Sequence, residues 1–194
     1  MSELSRREAV QLMMGIPLLA AGLSPDLVRR ATRAARLAEG VTYSPVFFTP
    51  HEWQTVRILV DLIIPKDERS GSATDAGVPE FMDFILNDQA DMQDPMRGGL
   101  AWLDNECRDR FGRTFVDCGD AQRAGVLDDI AWPEKARPER SNGVEFFSQM
   151  RDLTASGFFS SKMGVEDLQY LGNRVVAEWT GCPPEALARL GVQY

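Results

Sequence analysis

The most clearly bounded hydrophobic pattern in the chain runs from Thr49 to Pro65, with both ends written in local chemistry. Thr49 is an N-cap residue type, Pro50 fits the first helical position where a missing N–H costs nothing, and Glu52 three residues after the cap completes a capping box. Pro65 closes the segment, since a residue before proline is pushed out of the α region. At ~100° per residue Trp53, Val56, Leu59, Val60, Ile63 and Ile64 share one broad face, and Ile58 and Leu62 lie on the other. A helix apolar all round is a buried one, so this segment is expected to be the central element of the fold.

The remaining pattern is also helical. After a polar, glycine-rich loop over 66–77, Val78 to Leu86 restarts a helix with Pro79 in its first turn. Asp94-Pro95 is expected to cap a longer helix through Phe111, carrying Leu100, Leu103 and Cys107 at helical spacing. Gly98-Gly99 inside it weakens the helix by ~1 kcal/mol per glycine, and the close approach of another backbone is the expected reason. Asp120 is expected to cap Ala121 to Ile130, whose Val126, Leu127 and Ile130 face inward. Residues 131–143 read as an extended charged linker with Trp132 at its head. Helix resumes from Val144 to Phe159 on a stripe of Phe146, Phe147, Met150 and Leu153, after which the chain turns irregular and aromatic up to a short helix from Glu185 to Leu190. No alternating run is long enough to demand a strand. The expected fold is mainly α: a single helical domain over residues 41–194 around a buried central helix, with long ordered loops.

The first forty residues differ in kind. A paired arginine, Arg6 and Arg7, precedes a moderately apolar run from Leu12 to Gly22, the layout of an export leader, and the twin arginine after Ser5 points to the route that carries folded proteins. Ala9 stands where that motif usually has an aromatic residue or leucine. Ser24-Pro25-Asp26 caps a second segment, Leu27 to Ala38, rich in alanine and arginine, which reads as a solvated helix or tether. Residues 1–40 are therefore expected to be leader and basic tether. The localisation this implies is periplasmic.

Charge separates the two parts. Of 21 basic and 29 acidic residues, residues 1–40 hold six arginines and four acids, leaving fifteen basic against twenty-five acidic groups for the body. A surface that acidic repels phosphate backbones and disfavours nucleic acid as a partner. No run of ~20 apolar residues, the length of a membrane span, occurs.

The usual chemical signatures are missing. The chain has one histidine, His51, for which a surface or capping role is the ordinary reading, and lacks glycine-rich nucleotide loops, CxxCH and iron–sulfur cysteine runs. Adjacent carboxylates such as Asp128-Asp129 and Glu166-Asp167 diverge by ~100° on a helix and form no acid–base pair on one face. No cofactor and no metal is expected in this chain. Cys107 and Cys118 flank a turn between two helices; in an exported protein they can meet as a disulfide, and free buried thiols are the alternative. What stands out is the aromatic and methionine content of the second half. Large apolar side chains in loops either cover the chain's own core or anchor a partner. By residue type and placement the candidate partner contacts are Trp132, Pro133, Phe158, Phe159, Met163, Tyr170 and Trp179.

Several runs carry a resemblance. FFTPHEWQTVRILVDLIIPKD, AGVPEFMDFIL, GGLAWLDNECRDRFGRTFVD, LDDIAWPEKA and GVEFFSQMRDLTASGFFSSKMGVEDLQYLGN, followed by EWTGCPPEALARLGV, resemble the gluconate 2-dehydrogenase subunit 3 family, the small or gamma subunits of periplasmic flavoprotein sugar dehydrogenases. The similarity spans about residues 46–192. It implies a non-catalytic accessory subunit whose partner, of the glucose–methanol–choline (GMC) oxidoreductase type, holds FAD and oxidises the sugar, with a c-type cytochrome taking electrons onward. It also implies that the small subunit supplies the twin-arginine signal to the translocase and co-exports the folded catalytic subunit. LDDIAWPEK and MRDLTASGFF look like the subgroup of glucoside 3-dehydrogenases. The competing readings are a stand-alone periplasmic enzyme built on loop carboxylates and a helical structural or regulatory binding protein.

Overall fold

Ser24 opens the first helix in the computed structural model, which describes residues 24–38, 43–170, 181–182 and 184–192. Its Oγ accepts the Leu27 N–H at 3.2 Å, starting α1 (Pro25–Ala38). Leu27, Val28, Ala31 and Thr32 fall on one face and are all buried, and α1 packs along the helix Val78–Asp88. The expectation of a solvated tether is thus corrected: the basic face is solvated, but an apolar strip opposite it is wide enough to dock. Arg30 fastens the same contact through Asp88 at 3.0 Å. Arg6 and Arg7, and the boundary expected at residue 40, lie outside the described residues.

Helix α2 (Pro50–Ile63) begins as its sequence dictates. Thr49 Oγ1 accepts the Glu52 N–H at 3.3 Å while a Glu52 carboxylate oxygen accepts the Thr49 N–H at 2.8 Å. Only Thr55, Val56, Leu59 and Val60 are buried, however, and Leu62 remains 41% exposed. The most completely buried helix is the next one, α3 (Val78–Asp88), which α1, α2, α4 and α6 all touch. Its Val78, Phe81, Met82, Ile85 and Leu86 are each at most 2% exposed. Seven of the eleven residues of α3 are buried, Asp83 among them, whereas α2 carries Arg57 and Asp61 on one side, so burial goes to α3. The loop between the two is ordered: Asp61 accepts the Thr74 N–H at 2.7 Å and Ala73 is fully buried.

Helix α4 (Ala90–Phe111) starts before Asp94, with Pro95 inside it, because Met92 and Met96 already pack on the core. Pro95 removes only the hydrogen bond to residue 91, on an exposed stretch where water can serve the carbonyl. Helix α5 (Asp120–Asp128) is capped at Gly119, whose N–H donates to Gln122 Oε1 at 3.0 Å; Asp120 is its first residue, and Ile130 is buried in the turn beyond. A 3-10 turn (Pro138–Arg140) leads into α6 (Ser141–Ser160). The region expected to be irregular then continues as α7 (Lys162–Asp167), where Ser161 Oγ accepts the Gly164 N–H at 3.0 Å, and α8 (Pro184–Leu190) follows later. Among the described residues there is no strand.

Helices α4 and α6 cross through two reciprocal glycine–aromatic contacts. Gly99 lies under the Phe146 ring and Gly143 under the Trp102 ring, each with no room for a β-carbon, whereas nothing stands within 4 Å of one at Gly98. The glycine pair therefore admits a ring, not another backbone, and only one of the two is needed. Gly98→Ala is expected to stabilise the protein by about 0.5–1 kcal/mol. Gly99→Ala, forced to overpack against Phe146, is expected to destabilise it by about 2–3 kcal/mol. Urea midpoints of the two variants check the pair, and an equal shift in one direction would refute it.

Candidate partner-binding surface

Four charged side chains hold the loop between α5 and α6. Arg110 binds Glu106 one turn before it and Asp129 at 2.8 Å, and Arg140 binds the same two carboxylates from the 3-10 turn. Asp129 caps the end of α5, so both ends of the 129–140 loop are tied to α4. Burial works against ionisation of Asp129, yet the bonds from Arg110 and Arg140 outweigh it and hold its carboxyl below the usual range. Within the held loop Lys135 and Ala136 donate their backbone N–H groups to the Trp132 carbonyl at 2.9 and 3.0 Å. Trp132 itself is 55% exposed, with the Lys135 ammonium 5.1 Å from its ring. An exposed tryptophan on a loop pinned at both ends can enter a partner pocket with little ordering cost.

The other expected contacts separate. Pro133 is exposed beside Trp132. Phe158 is 1% exposed and belongs to the core, so it is removed from the surface set; its edge meets Phe159 with centroids 5.3 Å apart. It sits in the last turn of α6, one turn beyond the buried Thr154, and no local signal separates it from Phe159 beside it. Phe159 and Met163 are half-buried against the core, Tyr170 is half-buried, and Trp179 lies outside the described residues. Cys107 and Cys118 are both buried and, of the two alternatives, are free thiols in the structure.

One polar junction escaped sequence reasoning. Asp104 of α4, its side chain 9% exposed, stands with Oδ2 2.6 Å from His51 Nε2, takes the Phe115 N–H on Oδ1 at 3.0 Å, and lies 3.5 Å from Arg108. A carboxylate only accepts, which places the ring proton of His51 on Nε2. The pair lines a groove of about 280 Å³ with Arg97 and Thr49. Of the two hydroxyls there, Thr49 accepts the capping bond of α2 and Thr55 donates to the His51 carbonyl at 3.1 Å. The junction therefore ties α2, α4 and the 112–118 turn together. Among the described residues no cluster of three or more His, Cys, Asp or Glu could hold a metal ion, and no helix is long and apolar enough to cross a membrane.

The segment from α2 through α7 carries all of this geometry, and the same segment defines the class of helical subunit. The model of the family described as gluconate 2-dehydrogenase subunit 3 matches residues 50–178, and the chain belongs to that family. No curated protein and no solved structure matches it.

Proposed function

We propose that this chain is the non-catalytic small subunit that binds, stabilises and co-exports the FAD-containing, GMC-type catalytic subunit of a periplasmic sugar dehydrogenase of the glucoside 3-dehydrogenase kind. The observation that carries the reading is membership, over residues 50–178, of a family named for a dehydrogenase subunit. Two others support it: the twin arginine at Arg6 and Arg7, and the preorganised, exposed Trp132. In this reading the catalytic subunit folds on the small subunit in the cytoplasm and crosses the membrane bound to it, after which a c-type cytochrome takes the electrons from the flavin.

Co-expression with a GMC-type flavoprotein is expected to give a stable heterodimer whose FAD travels with the partner in native mass spectrometry. Arg6→Lys with Arg7→Lys is expected to strand both chains in the cytoplasm, and normal periplasmic dehydrogenase activity in that double variant would refute the export role. Trp132→Ala is expected to weaken association about 30-fold, the ~2 kcal/mol of an interface anchor. An unchanged dissociation constant would remove Trp132 from the interface.

A further inference from the structure

The C-terminal end of α4 and the turn that follows it are matched in register. Asp104 and Cys107 are three residues apart on one face of α4, and Phe115 and Cys118 are three apart in the turn, joined by the Cys118 N–H donating to the Phe115 carbonyl at 3.2 Å. Asp104 accepts the Phe115 N–H at 3.0 Å, and the second pair, Cys107 and Cys118, meet through a side-chain hydrogen bond. Both are buried, at 0% and 3% exposure. The turn is also held from outside: Arg123 donates to the Phe115 carbonyl at 3.1 Å, and Gly112, at φ +71°, reverses the chain after α4.

We propose that Cys107 and Cys118 are a post-folding oxidation site, closing as a disulfide that locks the 112–118 turn onto α4 once the protein reaches an oxidising compartment. Two S–H bonds break and one S–S bond forms, and two electrons and two protons pass to a disulfide oxidant, which leaves as two thiols. The oxidant enters by thiolate attack on its own disulfide, and the second cysteine then displaces it from the mixed disulfide. Burial, reinforced by the neighbouring Cys118, pushes the Cys107 thiol up to about 12. Hardly any Cys107 thiolate therefore exists at neutral pH, and no oxidant can touch a fully buried sulfur. The closed fold keeps the pair reduced until the turn opens, so loosening the Asp104–Phe115 link should speed bridging.

The compartment in this inference rests on the proposed export, but the chemistry does not, and the test keeps them apart. Purified full-length protein is incubated with oxidised glutathione at pH 8, quenched, unfolded and alkylated with N-ethylmaleimide, then weighed intact and after digestion. The expected product falls short of the fully alkylated reduced chain by two N-ethylmaleimide groups and two hydrogen atoms, with Cys107 and Cys118 joined in one peptide pair and the third cysteine, Cys182, outside it. Asp104→Asn is expected to form it several-fold faster, and Cys107→Ser and Cys118→Ser not at all. The bridged form should unfold with an equilibrium constant about a hundredfold smaller than the reduced form, the chain-entropy effect of closing a loop of roughly a dozen residues. Alkylation at both positions, or glutathione adducts on either, would overturn the proposal. A bridge formed in the tube but missing from protein recovered from the periplasm would instead count against the export reading.

Discussion

Asp83→Ala is expected to destabilise the protein by about 4 kcal/mol, a large share of the 5–15 kcal/mol that holds a domain together. The Asp83 side chain is 1% exposed and accepts four hydrogen bonds: from the Tyr43 hydroxyl at 2.7 Å and from the successive backbone N–H groups of Val46, Phe47 and Phe48 at 2.8, 3.0 and 3.1 Å. A single carboxylate thus organises the whole approach to α2, including Phe47 and Phe48, which are themselves buried. Alanine leaves those donors without an acceptor, at about 1–3 kcal/mol for each that cannot reach water. Asparagine keeps the shape but turns an NH2 group onto donors, so Asp83→Asn should lose about 3 kcal/mol. Tyr43→Phe keeps the ring stacked on Trp53, 5.4 Å between centroids, and should lose only about 1 kcal/mol. Urea unfolding read as midpoints at unchanged slope checks the series. A midpoint for Asp83→Ala within 1 kcal/mol of the natural chain would refute the anchor.

The same contact sets an alkaline limit. Burial first, then the bond to Asp83, pushes the Tyr43 phenol far above its ordinary value. A group that holds its proton more tightly when folded contributes stability below its unfolded pKa, about 10 for tyrosine, and that stability is lost as pH rises beyond it. Tyr43→Phe should therefore blunt the loss of stability above pH ~10.

What the sequence made legible follows from range. The capping box of α2 involves residues three apart and was readable in full, as was the helical class of the body. Asp83 and Asp104 were not readable, because the partners of Asp83 lie 35 to 40 residues away and Asp104 meets Phe115 and His51 across 11 and 53 residues. In one dimension Asp83 looks like a solvated interruption of VPEFMDFIL, and His51 like an exposed first-turn residue. The glycine pair was legible as an anomaly, but its cause, the Phe146 ring, sits on another helix. The deepest burial falls to α3 instead of α2 for a related reason: periodicity ranks faces within one helix and cannot compare two helices competing for the same core. Among surface candidates, Trp132 and Pro133 stayed outside because a charged loop carries them, while Phe158 lies on the face of α6 turned to the core.

The second large effect concerns α1. A chain shortened to begin at residue 39 is expected to be about 4 kcal/mol less stable than one beginning at Ser24. Leu27, Val28 and Ala31 are at most 5% exposed, and burying a leucine and a valine alone is worth about 3–5 kcal/mol as an upper bound. The shorter chain also loses the Arg30–Asp88 pair at 3.0 Å and the Thr32–Ser160 hydroxyl contact at 3.3 Å, and bares the face of α3 that α1 covers. That face belongs to the most completely buried helix, so its exposure should bring aggregation as well as a lower midpoint. Leu27→Ala in the full chain should reproduce about half of the loss. The consequence reaches the proposed export: any processing of the leader has to fall before Ser24, because a cut after α1 removes part of the core. An N-terminus mapped inside or beyond α1 on periplasmic protein, or equal midpoints for the two shortened chains, would refute the placement of α1 in the fold.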